Sequence, residues 1–181
     1  RHIETAPLFV SYSDQGLNGL SINFQRHLRD KVITWTKESL PRPIHYNCWE
    51  AIYFEHEPNA LSEIIELAAD IGAERFVLDD GWFGTRDDDT QSLGDWEIDP
   101  RKYPEGLGPL ITKVNQFGMS FGIWFEPEMV NLNSKLYVKH PSWALGPIDQ
   151  VLGRNQLVLD MANPDVQEYL FEKISAILSG H

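Results

Sequence analysis

Cysteine is almost missing from this chain. Cys48 stands alone among 181 residues, so an internal disulfide and any CxxC metal or redox motif are excluded. Long apolar runs are missing as well, and nothing approaches the roughly 20 residues that a membrane-spanning helix requires. No signal peptide and no N-glycosylation sequon are present, which leads to the expectation of a cytoplasmic protein. Positive charge is scarce, with 15 Lys and Arg against 27 Asp and Glu and a formal net charge of −12. Phosphate would be repelled, which argues against nucleic acid or an anionic membrane as partner and is compatible with a neutral substrate. No GxGxxG follows the first expected strand, which counts against a dinucleotide fold, and no HExxH or paired-histidine spacing occurs. His45, His56 and His140 are scattered and read as surface or internally satisfied histidines. Short-period repeats and low-complexity tracts are absent, and the first residue is Arg1 rather than Met, so a piece of a longer protein is expected.

Aromatic residues are plentiful: six Trp, six Tyr and nine Phe, which suits either ring binding or a large aromatic core. The stretch Phe76-Val77-Leu78-Asp79-Asp80-Gly81-Trp82-Phe83 organises the rest. Three apolar residues read as a buried strand, and two like charges directly after it repel unless they are solvated or bonded. Such a pair belongs where a strand ends and opens into a site. An indole beside carboxylates suits a sugar, which has an apolar C–H face and a rim of hydroxyls; the plainer alternative is an acidic turn with Trp82 filling the core.

Residues 1–40 have mixed character. Pro7 to Tyr12 reads as a strand, Asp14 to Gly19 as turn chemistry, and Ser21 as the cap of a helix with Phe24, Leu28 and Val32 on its apolar face. Pro41-Arg42-Pro43 stiffens the chain and marks a boundary, after which a regular strand–helix alternation begins. Ile44 to Trp49 is the first strand. A helix from about Asn59 buries Leu61, Ile64, Ile65 and Ala68 and ends at Gly72 in left-handed conformation. After the second strand, residues 84–104 are too long for an ordinary connection and are expected to be functional. A second helix carries Leu107, Leu110, Ile111, Val114 and Phe117 up to Gly118, and a third strand, Ser120 to Phe125, runs into Glu126-Pro127-Glu128. A further long loop leads past Arg154 to the apolar run Leu157-Val158-Leu159. A third helix, capped by Asn163 before Pro164, points Val166, Leu170, Ile174, Ile177 and Leu178 inward and ends at Gly180.

This alternation implies an α/β fold with a parallel sheet, whose ligand lies at the C-terminal ends of the strands. A (β/α)8 barrel is favoured; three βα units would make its N-terminal part, with strand edges and barrel-facing apolar residues uncovered. On composition, Asp79, Asp80, Glu126 and Glu128 suit either a glycosidase, which needs two carboxyl groups across the scissile bond, or a divalent-metal barrel enzyme. Asp87 to Asp95 superficially resembles a calcium loop but lacks the glycine at its sixth position, and reads as a solvated loop.

The motifs Asn47-Cys48-Trp49-Glu50-Ala51, Val77 to Phe83, Leu93-Gly94-Asp95-Trp96 and Phe121 to Met129 recur together, in order, with His140-Pro141-Ser142-Trp143 and Gly153 to Asp160. Carrying them, the chain resembles the α-galactosidases of glycoside hydrolase family 36 over essentially its whole length. The resemblance implies a retaining hydrolase of terminal α-1,6-linked galactose in melibiose and raffinose-type oligosaccharides, with no metal and no cofactor. A raffinose-synthase-like galactosyl transferase and a non-catalytic sugar-binding remnant are the alternatives. Residues 1–40 correspond to the tail of the family's N-terminal β-domain with a connecting helix, and 41–181 to the N-terminal portion of the catalytic barrel. By the same carry-over Asp79 and Asp80 hold the galactose O4 and O6 hydroxyls, Trp49 and Trp124 line the sugar subsite, and Arg154 reaches a ring hydroxyl or the nucleophile. Glu126 and Glu128 become structural. Cys48 stands where the family commonly has Ser or Thr, a packing variant. The family's nucleophile, in a Lys-Trp-Asp strand, and its acid/base aspartate are expected beyond His181, so the chain alone is expected to be inactive. The partners implied are small galactosides and oligosaccharides, and the full-length protein could be a homo-oligomer.

Overall fold

The computed structural model describes residues 2, 4–33, 41–147 and 149–180. The chain divides into two compact units, Arg1–Arg42 and Pro43–His181. Positions 34–40 of the N-terminal segment lie outside the described residues.

In the first unit the structure departs from the expectation. Pro7 to Tyr12 pairs with no strand among the described residues; the Tyr12 carbonyl instead accepts from the Asn23 side chain at 3.3 Å. Helix α1 runs over Gly16–His27 and continues as a π turn, Leu28–Val32. The supposed turn Asp14 to Gly19 therefore feeds straight into helix, and Ser21 lies inside α1, its hydroxyl accepting from Gln25, rather than capping it. Phe24 is half-buried, whereas Leu28 and Val32 are each 46% exposed, so the apolar stripe has little to pack against.

In the second unit, strands β1 (His45–Asn47), β2 (Arg75–Leu78) and β3 (Ser120–Ile123) form one parallel sheet in the order β1-β2-β3. Phe76 stands opposite Tyr46 on one side and Phe121 on the other. The period-2 rule puts Phe76 and Leu78 on one face, and both are fully buried. Helix α2 (Trp49–Ile52) is a single turn after β1; α3 (Pro58–Asp70) connects β1 to β2, and α4 (Gly108–Gln116) connects β2 to β3. Leu61, Ile65 and Ala68 of α3 and Val114 of α4 join Phe76 and Leu78 in one core.

Helices α3 and α4 stop in the same way. The amide of Ala73 donates to Ala68 O and that of Gly72 to Ala69 O; Met119 and Gly118 repeat the pattern onto Val114 and Asn115. This double closure requires a left-handed residue, supplied by Gly72 (φ 88°) and Gly118 (φ 77°), and each turn delivers the chain into the next strand.

Beyond β3 the sequence reading missed two strands. Met129–Asn131 (β4) pairs antiparallel with Gln156–Val158 (β5), apart from the parallel sheet, and α5 (Lys135–Lys139) and a 3₁₀ turn (Pro141–Trp143) lie between them. Three-residue strands leave too little alternation to detect. Helix α6 (Pro164–Ser179) opens on Asn163, whose side chain accepts from the Asp165 amide. Val166 and Leu170 are buried and Ile174 and Ile177 half-buried, but Leu178 is exposed, contrary to its expected inward position.

Candidate functional site

The ends of β1, β2 and β3 and the turn that leads into β5 converge on a cavity of about 310 Å3. Its walls include Trp49, Asp79, Asp80, Trp124 and Arg154, together with Phe125, Glu126 and Glu128. The five residues singled out from the sequence are thus brought to one place.

Each is held by its neighbours. Asn47, the last residue of β1, accepts from the Trp49 amide at 2.8 Å and donates through its side-chain amide to Asp79 Oδ2. The Trp49 ring is half-buried, edge-on to Tyr53 and to Phe54, with centroids 5.1 Å from each. Asp79 Oδ1 accepts from the Asp80 amide at 2.7 Å. Asp80 is only 3% exposed and forms a two-pronged ion pair with Arg86, at 2.6 Å from Nε and 2.8 Å from Nη2. The backbone carbonyl of Trp124 accepts from the Trp82 indole at 3.0 Å. Trp82 itself has no exposure, so of the two readings offered for it the core-filling one holds: the ring lies behind the wall, and Trp49 and Trp124 form the wall.

Arg154 comes from a hairpin turn. The Gln156 amide donates to Gly153 O at 3.0 Å, and Arg154 and Asn155 have φ of 52° and 58°. Two consecutive positive φ values belong to the primed turns whose twist matches a hairpin; for Arg, which has a Cβ to accommodate, this is an uncommon conformation, concentrated at functional sites. The guanidinium lies 3.4 Å from Glu126, which also accepts from Gln156 at 3.1 Å. Burial raises the Glu126 carboxyl above its usual range, opposed by Arg154 and Gln156.

Behind the acidic pair, His56 is buried between Tyr103 and two carbonyls. Nε2 faces Asp80 O at 2.9 Å and Tyr53 O at 3.1 Å, so it carries the proton, and Nδ1 accepts from the Tyr103 hydroxyl at 2.6 Å. Desolvation, reinforced by Lys102, pushes the imidazole down to about 4, and it stays neutral. Gly81 is required here: its φ is 110°, and a Cβ would sit 2.9 Å from His56 Nε2. Cys48 is fully buried and its thiol is pushed up to about 11, chiefly by desolvation, so it is an inert packing group.

Of the stretch Asp87 to Asp95, read as a solvated loop, Asp87 to Thr90 are exposed as expected, but Ser92 to Asp95 are buried. Asp95 is buried and accepts from the amides of Lys135 and Leu136 at 2.9 Å each, fastening the loop to the first turn of α5. Asp87 pairs with Arg101. Lys102 donates to the carbonyls of Phe54, Gly81 and Arg86 at 2.8–3.0 Å, doing with an ammonium what a bound cation would do. The sequence reading missed Arg86 entirely; a lone Arg ahead of three aspartates carries no sign that it is buried. Among the described residues no group of three or more His, Cys, Asp or Glu is arranged to hold a metal ion.

The melibiase family model matches residues 2–181. The chain is 45% identical to an α-galactosidase of Escherichia coli over 176 residues, covering 96% of the chain and 25% of that protein. It is 47% identical to α-galactosidase AgaA of Geobacillus stearothermophilus over 178 residues, 97% of the chain and 24% of the relative. Among solved structures, the glycoside hydrolase family 36 α-galactosidase AgaB of the same organism superposes with a TM-score of 0.84 at 49% identity, over 93% of this chain and 24% of its own. An AgaA variant solved in complex with raffinose gives 0.84 at 48% identity over the same shares. The chain therefore spans about a quarter of the length of the relatives it matches.

Proposed function

The chain belongs to the melibiase family, the α-galactosidases of glycoside hydrolase family 36, and on that premise we propose that it supplies the galactose-holding wall of a retaining α-galactosidase active site. The substrates are terminal α-1,6-linked galactosides such as melibiose and raffinose-type oligosaccharides. The parallel β1-β2-β3 sheet is, in this reading, the first part of a (β/α)8 barrel, with residues 1–40 the tail of a preceding β-domain. The nucleophile and the acid/base carboxylate come from the part of the barrel that this chain does not span.

The roles follow from chemistry. An ionised carboxylate accepts hydrogen bonds and donates none, so Asp79 and Asp80 suit two sugar hydroxyls, the axial O4 and O6. An epimer with equatorial O4 forfeits a charge-assisted hydrogen bond to one of these carboxylates, a penalty that a hydrophobic pocket cannot impose. Trp49 and Trp124 offer flat apolar surface to the C–H face of the ring, and Arg154 supplies a donor in the same wall. What carries the reading is one observation: residues from three strand ends and a separate hairpin line the same cavity.

The test is made in the complete enzyme. Asp79→Ala and Asp80→Ala are each expected to lower kcat/KM on an aryl α-galactoside at least about tenfold, the least that losing a charged hydrogen bond implies. Proton NMR of early product is expected to show α-galactose first. Unchanged efficiency in both variants, or β-galactose as the first anomer, would overturn the assignment.

A further inference from the structure

Arg86 is the largest charged group among the fully buried side chains, and nothing in the proposed chemistry uses it. Four of its N–H bonds are committed: Nε and Nη2 to the two oxygens of Asp80, and Nη1 to Gln91 O at 2.7 Å and to Asn131 Oδ1 at 2.8 Å. The rings of Phe54 and Phe83 lie 5.4 and 5.8 Å from its guanidinium carbon. A buried ion pair is a poor device for stability alone, because desolvation of both charges offsets their attraction. Its effect on Asp80 is more specific. The planar fork occupies one lone pair on each carboxylate oxygen, fixes the plane of the carboxylate, and leaves the remaining lone pairs to a ligand.

Asn131 extends this control. It is fully buried on β4, and its Oδ1 accepts from the Leu93 amide as well as from Arg86, while its Nδ2 donates to Asp89 O and to Asn155 O at 2.8 Å. Asn155 is the second residue of the turn that presents Arg154. One buried amide thus holds both the guanidinium behind Asp80 and the turn that brings Arg154 to the cavity.

We infer that Arg86 is a positioning residue for sugar specificity: backed by Asn131, it sets the Asp80 carboxylate at one fixed angle to the ring hydroxyls and in register with the Arg154 turn. This rests on the galactose reading of the site. Arg86→Lys in the complete enzyme keeps the charge and loses the fork. It is expected to lower kcat/KM for an aryl α-galactoside about a hundredfold, as small misplacements at a reacting site do. The discriminating readout is the ratio of kcat/KM for the galactoside to that for its 4-epimer and its 6-deoxy analogue, expected to fall about tenfold. A residue that only supported the fold would reduce every substrate by one common factor and leave that ratio alone. Asn131→Ser preserves the ion pair but removes one of the two acceptors that hold Nη1. It is expected to lower the ratio about threefold, and it carries the test if Arg86→Lys does not fold. Asp80→Asn, measured in parallel, separates the two claims. If it leaves efficiency and ratio at wild-type values, the galactose reading fails. If it collapses the ratio while Arg86→Lys and Asn131→Ser both stay within about twofold of wild type, the positioning inference fails and the galactose reading stands.

Discussion

Asp79 and Asp80 are adjacent and chemically identical, yet their surroundings differ. Asp79 is held from β1 by Asn47 and by the following amide, while Asp80 is buried against a guanidinium. That a site opens after Leu78 was legible, because like charges at a strand end need an explanation. Which partner each carboxylate takes was not, since Asn47, Arg86 and Asn131 reach them only through folding. His56 shows the same division: its isolation from other histidines argued against metal binding, but only the structure surrounds it with Tyr103 and two carbonyls. Its pKa is lowered from 6.5 to about 4, so within that window the unfolded chain binds a proton that the folded one refuses. Stability at this residue is accordingly full above about pH 6.5 and falls on acidification toward pH 4, by up to about 3 kcal/mol. Hydrogen exchange around Phe54 and Asp80 in the complete enzyme should quicken from pH 7 to pH 4.5 after correction for intrinsic rates. His56→Gln, which retains a donor for the carbonyls, should flatten that dependence.

Among the elements, those with long apolar periodicity and glycine stops were readable. Helices α3, α4 and α6 lie close to their expected positions, and Gly72 and Gly118 perform the closing role assigned to them. Neither glycine has a heavy atom within 4 Å of a hypothetical Cβ, so a methyl group there meets no neighbour and the cost of adding one is purely conformational. Gly72→Ala and Gly118→Ala should each destabilise by about 1–2 kcal/mol, read as a lowered urea midpoint with unchanged slope. The β4–β5 pair was invisible because each strand is three residues long and finds its partner across an intervening helix and turn. The stretch Asp87 to Asp95 was half legible: its first four residues are exposed as the acidic composition suggests, but Asp95, and Arg86 just before the stretch, turn inward to partners from α5 and β4.

Across the second unit as a whole, the cavity is assembled from the ends of β1, β2 and β3 and the turn leading into β5, and Trp124 and Phe125 in its wall pack against Trp82, Phe83 and Trp96. A wall on one side of a sugar buries too little of it for tight binding. On the proposed barrel reading, the 181-residue chain by itself should therefore show no hydrolysis of an aryl α-galactoside, whereas a protein of the relatives' full length that contains it should be active. Activity of the chain alone at a rate comparable to that protein would show that the proposed division of the site is wrong.

Local interactions are written in the order of residues, and these the sequence determined by itself: the parallel strand–helix alternation, the helix stops, the acidic strand end, and a run of motifs dense enough to mark the family. The tertiary structure alone decided which carboxylate is buried, which tryptophan faces the cavity, and that Arg86 and Asn131 stand behind it. Those outcomes depend on desolvation and on hydrogen-bond partners many residues away, and neither leaves a periodic trace in the chain.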